Sequence, residues 1–291
     1  MERQFTVYSL LGLLLAFAIA IVLTAIVKLI GKKKINVLVM ILIGAISFMI
    51  SLGIAFGIYV GSYNHADVSA NKYLESTSDV EVNKIDSGYY FNGSGNKDAI
   101  IFYPGAKVEA TAYAPLLFEL AKSGVDAFLI EMPCNLAFFG KNKADNIIDE
   151  YKYDNYYLMG HSLGGAMGAT YVASNPDKFK GLILLASYST KEIPDSINVL
   201  SIYGSNDGVL NMEHYKENKS NLPSSTIEYV IEGGNHSGFA NYVTQSDDHL
   251  ATITYSLQQE LTKNKILEFI DWDVIWKYGI LFFIISNCIE L

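Results

Sequence analysis

The pattern of apolar and polar residues divides the chain into an N-terminal membrane segment and a folded domain. Residues 5–27 and 35–60 are two almost unbroken apolar runs that contain no charged residue. A helix of roughly 20 residues crosses the hydrocarbon core of a bilayer, so the pattern predicts two transmembrane helices. Residues 63–78 are polar and irregular, which predicts a linker, and the folded domain is expected to occupy residues 79–271.

The charges between the two runs predict how these helices are oriented. Lys28 and Lys32–Lys34 lie between the runs, and short basic loops stay on the cytoplasmic side of a membrane. We therefore expect a helical hairpin in the cell membrane, with the folded domain on the extracytoplasmic side. A cleaved signal peptide is the alternative for the first run, but this run is long for a signal peptide and a second run follows it.

The C-terminal residues 272–291 form a third apolar segment. Residues 274–289 are few for a complete span, and they include Lys277, whose side chain can extend to the lipid–water interface. A third span, an interfacial helix and a core helix all remain open for this segment. We expect it to contact the membrane.

Between about residue 66 and residue 270, short β-rich runs alternate with helical runs, and this alternation predicts an α/β fold. The predicted strands cover residues 80–85, 89–91, 99–103, 125–131, 155–159, 182–186, 198–203 and 226–231. The predicted helices cover residues 113–122, 141–151, 163–174, 212–219 and 248–270.

Composition and charge narrow the function classes. Hydrophobic residues make up 51% of the chain and the mean hydropathy is +0.23, which supports the placement of some residues in lipid. Residues 1–60 hold five basic residues and one acidic residue, a balance of +4, so a net charge of −9 leaves −13 for the remainder. An acidic domain argues against nucleic-acid binding. The two cysteines, Cys134 and Cys288, form neither a disulfide framework nor a zinc-binding spacing.

The most specific chemical signal is the segment Gly160-His161-Ser162-Leu163-Gly164-Gly165, which has the pattern G-x-S-x-G. A predicted strand leads into the segment and a predicted helix follows it, as the nucleophile elbow requires. The helix N-terminus adds partial positive charge where an oxyanion develops. Ser162 is therefore the candidate nucleophile, and His161 is expected to pack beside it.

A serine nucleophile requires a base, and the base requires an acid that orients it. In this type of fold the acid and then the histidine follow the serine along the chain. Asp207 follows a predicted strand at the expected place, whereas Asp177 and Asp195 have the sequence context of solvated turns. Glu213 is the alternative acid. His236 follows the last predicted strand and is the candidate base.

Stabilising the tetrahedral intermediate requires two backbone N–H donors. Leu163, directly after the nucleophile, is expected to provide one. The loop after the first buried strand is expected to provide the other, through Ala106 or, as the alternative, Lys107. The apolar residues of the loop at 131–142 are expected to form part of the wall of the site. The residues expected to contact substrate are Lys107, Met132 and Phe138.

Residues 98–260 resemble the α/β-hydrolase superfamily, and within it a compact branch distantly similar to the dienelactone hydrolases. The segments that carry the resemblance are residues 102–108, 131–138, 160–165, 232–236 and 251–254. The resemblance implies an eight-stranded, mostly parallel sheet flanked by helices, with Ser162, Asp207 and His236 as the triad. The chain departs from the branch in having a serine instead of a cysteine nucleophile, and Gly105-Ala106 where the branch usually has two glycines.

These features together predict a membrane-anchored serine hydrolase that cleaves small or flexible carboxylic esters through an acyl-enzyme, with no cofactor and no metal. The connection at 187–197 is short where many lipases insert a lid, so we expect an open, shallow site. The expected partners are a small-molecule ester or amide and the lipid bilayer. A peptidase, a thioesterase, an acyltransferase with the same triad and a non-catalytic surface binding module remain open.

Overall fold

The computed structural model describes residues 2–30, 36–95 and 97–271. The chain forms two compact units, Met1–Tyr63 and Asn64–Leu291. The predicted basic loop at Lys32–Lys34 and the predicted membrane contact of residues 272–291 lie outside the described residues.

The first unit contains two helices, α1 (Glu2–Ile30) and α2 (Val37–Gly61). The side chain of Asn36 caps α2 by accepting a hydrogen bond from the N–H of Leu38. Helix α2 has a mean hydropathy of 2.7 and is the one helix among the described residues that is long and apolar enough to cross a membrane. In α1 the stretch Phe17–Leu29 is apolar but shorter, so the span at 5–27 stays a prediction.

The second unit contains one eight-stranded sheet flanked by helices. Its strands are β1 (Glu81–Ile85), β2 (Gly88–Asn92), β3 (Asp98–Tyr103), β4 (Asp126–Ile130), β5 (Asn155–His161), β6 (Gly181–Leu185), β7 (Asn198–Gly204) and β8 (Ile227–Ile231). Its α-helices are α3 (Ala114–Lys122), α4 (Ala144–Glu150), α5 (Leu163–Ser174), α6 (Met212–Glu217) and α7 (255–271). Its 3₁₀ helices are Val68–Leu74, Ala110–Tyr113, Pro133–Asn135, Ala137–Phe139, Pro176–Lys178, Asn218–Asn221 and Ser237–Phe239.

The strand order is β1-β2-β4-β3-β5-β6-β7-β8, and the predicted α/β fold with a mostly parallel sheet is confirmed. Strands β1 and β2 pair antiparallel, and β2 pairs antiparallel with β4. The pairs from β4 through β3, β5, β6 and β7 to β8 are parallel. The loops after β3, β5, β7 and β8 therefore leave the sheet at the same edge, which we call the carboxyl edge.

The sheet is buried on both faces, because successive side chains of a strand point to opposite sides. In β3, Ile100 and Phe102 pack into the core layer that includes α3 and α7. Ile101 and Tyr103 pack into the layer that includes α4 and α5. A strand covered on both faces has a continuous apolar sequence, which explains why β3 was recognisable from its sequence.

The segment after α2 differs from the predicted linker. Asn64 forms a parallel bridge with Val108, and Ala66 forms an antiparallel bridge with Tyr242. Ala70 is fully buried. Residues from Asn64 onward therefore belong to the second unit, because backbone pairing and burial hold this polar stretch against the domain.

The last helix begins later than predicted, at residue 255 instead of 248. Residues 248–254 form a loop whose backbone bonds to the loop after β8. The N–H of Thr252 donates to the carbonyl of Gly233 at 2.8 Å, and the side chain of Asn235 donates to the carbonyl of His249 at 2.7 Å. These long-range bonds replace the hydrogen bonds of a first helical turn.

Candidate active site

Ser162 occupies a sharp turn between β5 and α5. Its φ of 53° and ψ of −124° lie outside the regions that most residues adopt, a conformation that costs about 1–3 kcal/mol and persists only where its surroundings hold it. The N–H of Ser162 donates to the carbonyl of Leu185 at 2.9 Å, and Ser187 Oγ donates to the carbonyl of Ser162 at 2.7 Å. Strand β6 and the loop after it therefore hold this turn in place.

Close backbone packing explains the glycines around the serine. A Cβ on Gly164 would lie 2.1 Å from the carbonyl oxygen of Tyr103 and 2.4 Å from that of Pro104. Only glycine therefore lets the first turn of α5 approach the loop after β3. This approach brings the loop that contains Ala106 next to the nucleophile elbow.

Asp207 and His236 form a buried pair at the same carboxyl edge. Asp207 Oδ2 lies 2.9 Å from His236 Nδ1, and each side chain is 1% exposed. The second carboxylate oxygen accepts hydrogen bonds from the N–H groups of Val209 and Leu210, at 2.8 and 2.7 Å. Because a carboxylate only accepts, Nδ1 of His236 carries the proton and Nε2 has a free lone pair.

The Nε2 atom of His236 is buried and makes no hydrogen bond to any described residue, Ser162 included. The ring of His236 lies 4.5 Å from the ring of His161, the neighbour of the serine, measured between centroids. The base is therefore next to the elbow. The Ser162 hydroxyl has to come within hydrogen-bonding distance of Nε2 before a proton can move.

Asp248 organises the loops on either side of this pair, and the sequence analysis did not identify it. Its Oδ1 accepts hydrogen bonds from the N–H groups of Gly208, at 3.1 Å, and His236, at 3.3 Å. Its Oδ2 accepts hydrogen bonds from both the N–H and the hydroxyl of Ser237, each at 2.8 Å. The role of Asp248 has no local sequence signal, because its partners lie 11, 12 and 40 residues away.

Gln258 of helix α7 supports the loop after β8 that contains His236, which we call the histidine loop. Its Oε1 accepts a hydrogen bond from the N–H of Asn235 at 3.0 Å, and its Nε2 donates to the carbonyl of Asn235 at 2.8 Å. A Cβ on Gly238 would lie 2.1 Å from the same Oε1. The helix and the loop therefore pack in direct contact immediately behind His236.

Two backbone donors stand free at the elbow. Within the described part of the chain, the N–H groups of Leu163 and Ala106 donate no hydrogen bond. The N–H of Lys107, the alternative donor, is already donated to the carbonyl of Asn135 at 2.8 Å. Lys107 is therefore excluded as the backbone donor of this loop, whereas the N–H groups of Ala106 and Leu163 are free to donate to an anionic oxygen.

A buried Tyr113–His161 pair connects the loop after β3, residues 104–108, to the elbow. We call this loop the oxyanion loop. The hydroxyl of Tyr113 accepts a hydrogen bond from the N–H of Gly105 at 3.1 Å and lies 2.7 Å from His161 Nδ1. A Cβ on Gly105 would lie 2.8 Å from that nitrogen, so glycine is needed there. Burial, together with the nearby His236 ring, lowers the pKa of His161 well below its ordinary value, and the ring is neutral in the folded protein.

The predicted substrate-contacting residues differ in exposure. Phe138 is 65% exposed, on the loop after β4. Met132 is only 6% exposed and packs into the core layer beneath that loop, where its sulfur would lie 2.7 Å from a Cβ on Gly140. Met132 therefore packs beneath the loop, and its contact with substrate stays a prediction. Lys107 is partly buried, and this burial lowers the pKa of its amine.

Other titratable residues are exposed, in contrast to the buried Asp207–His236 pair. Asp177, Asp195 and Glu213 are exposed on the surface of the domain. His65 is also exposed and lies 3.3 Å from a carboxylate oxygen of Glu109. Among the residues that the structure describes, no group of three or more His, Cys, Asp or Glu side chains could hold a metal ion.

A family model matches more than half of the chain, and one curated protein matches a short segment of it. The sequence model of the alpha/beta hydrolase family matches residues 99–260. Protein phosphatase methylesterase 1 of Debaryomyces hansenii is 46% identical over 52 residues, and the match spans 15% of this chain and 13% of that protein.

Solved structures share the fold at low sequence identity. A protein of Agrobacterium vitis described as a hydrolase has a TM-score of 0.51 at 14% identity, over 66% of this chain and 99% of its own. An epoxide hydrolase mutant of Vigna radiata has a TM-score of 0.50 at 12% identity, over 67% of this chain and 99% of its own. At this level of identity the likeness concerns the fold alone.

Proposed function

Because the chain belongs to the alpha/beta hydrolase family, we propose that it is a membrane-anchored serine hydrolase that cleaves small or flexible carboxylic esters. The observation that carries the proposal is the buried hydrogen bond of 2.9 Å between Asp207 and His236, beside a serine on a strained turn. A buried carboxylate that orients an imidazole beside an activated serine is the arrangement that acyl transfer needs.

In the proposed acylation step, Nε2 of His236 takes the proton of the Ser162 hydroxyl as Oγ attacks the ester carbonyl carbon. The negative charge that forms on the carbonyl oxygen is stabilised by the N–H groups of Leu163 and Ala106. Backbone donors of this kind need no reorganisation when charge develops, which is why they contribute strongly to catalysis. The imidazolium then gives its proton to the leaving alkoxide, and the alcohol departs.

In the proposed deacylation step, a water molecule attacks the acyl-enzyme while His236 takes one of its protons. The same two N–H groups stabilise the second tetrahedral intermediate, whose collapse releases the carboxylic acid and returns the proton to Ser162. Asp207 stays ionised throughout and stabilises the imidazolium. All groups used in these two steps belong to the protein, the ester and water.

The membrane placement is part of the same proposal. Helix α2 meets the length and hydropathy that crossing a bilayer requires. We infer that α1 is the second span, that the basic residues between the helices are cytoplasmic, and that the hydrolase unit is extracytoplasmic. Cysteine accessibility on either side of sealed vesicles tests this orientation independently of activity.

Labelling with a fluorophosphonate probe tests the enzyme proposal on the full chain in detergent. The wild type is expected to become covalently labelled and Ser162→Ala is expected to remain unlabelled. Ser174→Ala is a matched control, since Ser174 lies at the exposed end of α5, where its hydroxyl donates only to the carbonyl of Thr170. Equal labelling of wild type and Ser162→Ala, or no labelling of either, would reject the proposal.

A panel of carboxylic esters, thioesters and peptide amides then defines the substrate class. Esters are expected to be cleaved fastest, with free acid as the product. Adding excess alcohol distinguishes transfer from hydrolysis, because an acyltransferase would form a new ester. Faster turnover of amides or thioesters, or transfer as the main outcome, would replace the ester assignment.

A further inference from the structure

The most exposed large apolar side chains of the hydrolase unit lie on loops and 3₁₀ helices that connect its strands and α-helices. Among its described residues, five large apolar side chains are at least half exposed. They are Val68 (80%), Phe138 (65%), Phe139 (50%), Val243 (79%) and Leu250 (82%). We call these five residues the apolar rim.

Each residue of the apolar rim lies on a segment connected to the candidate site. Phe138 and Phe139 follow β4, and their rings contact each other edge to face at 5.5 Å. Val243 directly follows Tyr242, in the stretch after the loop that contains His236. Tyr242 forms a backbone bridge with Ala66, and Val68 lies two residues after Ala66. The carbonyl of Leu250 accepts a hydrogen bond from Asn206, the neighbour of Asp207.

The chain enters the hydrolase unit beside the oxyanion loop. The N–H of Asn64 donates to the carbonyl of Lys107 at 2.7 Å, and the N–H of Glu109 donates to the carbonyl of Asn64 at 2.9 Å. Only Ser62 and Tyr63 separate Asn64 from Gly61, the last residue of α2. Asn64, which bonds to this loop, is therefore only three residue steps from the end of α2, a chain length of at most about 11 Å.

Charge beside the two phenylalanines of the apolar rim favours a lipid surface as their occupant. The segment Phe138–Lys143 carries Lys141 and Lys143 and no acidic residue, although the unit as a whole is acidic. Lys141 is exposed beside the two phenylalanines. Phenylalanine next to lysine suits the boundary between acyl chains and headgroups, where the ring enters the apolar region and the ammonium stays with the phosphates.

We propose that the apolar rim inserts into the lipid surface of the membrane that α2 crosses, and that the site takes amphiphilic esters whose acyl chains come from that bilayer. The inference rests on the proposed hydrolase function and membrane anchor, and it specifies their substrate class. Burial of apolar side chains in the interface drives the contact. The short connection to α2 keeps the hydrolase unit close to that membrane.

A tryptophan reporter tests insertion without reference to activity. Phe139→Trp is made in the full chain, with Trp272→Phe and Trp276→Phe to remove the native signal. The protein is reconstituted into phosphatidylcholine–phosphatidylglycerol vesicles whose acyl chains carry bromine, which quenches nearby indole fluorescence. Phe139→Trp is expected to lose most of its emission. Asp154→Trp, in the exposed loop before β5, is the matched control and is expected to keep its emission. Equal quenching of the two variants, or no quenching of Phe139→Trp, overturns insertion.

Paired kinetics test the substrate class. The variant Val68→Ser/Val243→Ser/Leu250→Ser is compared with wild type on a short-chain soluble ester and on a long-chain ester embedded in vesicles. Hydrolysis of the embedded ester is expected to fall about tenfold, which corresponds to about 1.4 kcal/mol, with hydrolysis of the soluble ester unchanged. The matched variant with leucine at the same three positions is expected to restore the rate on the embedded ester.

An equal loss on both esters, or no loss on either, overturns the proposed delivery from the bilayer. The outcomes also distinguish this inference from the proposed function. If the hydrolase assignment fails, neither ester is cleaved and the fluorophosphonate probe does not react, yet the quenching measurement still reports whether the rim inserts. If only the inference fails, the soluble ester is cleaved and the probe reacts, while the fluorescence of the Phe139→Trp variant is not quenched.

Discussion

The nucleophile elbow and the Asp207–His236 pair reach the same edge of the sheet by different means. The elbow is made within the consecutive residues 160–165, where glycines allow a tight turn between β5 and α5. The pair joins two loops 29 residues apart, which meet because β7 and β8 are parallel neighbours. The elbow therefore depends mainly on steric fit, whereas the pair depends on hydrogen bonds from distant residues.

We therefore expect the two halves of the site to respond differently to substitution. A side chain added at the elbow has no space to occupy, so the surrounding backbone has to move. A change at the pair leaves the backbone in place but alters which nitrogen of His236 holds the proton, or where the ring points. Four substitutions, taken from the largest expected effect to the smallest, test this contrast.

Asp207→Asn is expected to reduce kcat by about 10⁴-fold while the protein stays folded. The amide oxygen can still accept the hydrogen bonds from Val209 and Leu210, but the amide NH₂ then faces His236 Nδ1 and moves the ring proton to Nε2. The base then has no lone pair for the serine. Steady-state ester hydrolysis and circular dichroism are the measurements. Asp195→Asn, on an exposed turn, is the control, and a kcat within tenfold of wild type would contradict the assignment of the acid.

Gly164→Ala is expected to lower the free energy of unfolding by up to about 3 kcal/mol, the cost of overpacking a tight site. Its Cβ would meet the carbonyl oxygens of Tyr103 and Pro104, which belong to backbone and have little freedom to move. Thermal unfolding and fluorophosphonate labelling are the measurements.

Gly168→Ala, on the same helix, is the matched control for this substitution. Its Cβ would lie 3.1 Å from a flexible methyl group of Leu158, and alanine favours the helix over glycine by about 1 kcal/mol. If both variants were equally stable, steric fit would not be what forms the elbow.

Asp248→Asn is expected to lower kcat by up to about 10²-fold with little change in KM, since a small displacement of a catalytic group has a cost of this order. The amide has one acceptor oxygen where the carboxylate has two, so it cannot satisfy the donors of Gly208, His236 and Ser237 together. Asp248 acts through His236 and is a positioning residue. A rise in KM with unchanged kcat would place its effect on substrate binding instead.

The pH dependence of stability tests the burial of His161. Because burial holds its pKa well below the ordinary value, the folded protein does not take up the proton that the unfolded chain binds below about pH 6.5. This contribution to stability is present above that pH and is lost as the pH falls, at up to about 1.4 kcal/mol per pH unit.

His161→Gln is therefore expected to flatten the acid limb of the stability curve. Glutamine can still hydrogen-bond to Tyr113 and does not titrate. Urea unfolding between pH 7 and pH 5 is the measurement, and His65→Gln, at an exposed position, is expected to keep the wild-type slope. Identical slopes for wild type and His161→Gln would mean that folding does not lower the pKa of His161.

The features that were recognisable in advance have a local physical cause. Strand β3 is continuously apolar because both of its faces are covered, and the elbow has its pattern because the turn tolerates only glycine at Gly164. The start of α7 was misplaced, since residues 248–254 look helical until Thr252 and His249 bond to the loop after β8. The burial of Met132 was not recognisable in advance, because exposure cannot be read from residue type.

By itself, the sequence determined the α/β class, because burial periods and turn residues act over a few positions, and its resemblance to the α/β hydrolases implied the mostly parallel sheet. It also singled out the candidate serine, acid and histidine through their places relative to the strands. Only the tertiary structure showed that the N–H of Lys107 is already used by Asn135, revealed the contacts of Asp248 and Tyr113, and brought Asn64 to the loop after β3. Those choices depend on hydrogen bonds between residues far apart in the chain, which exist only once the sheet has formed.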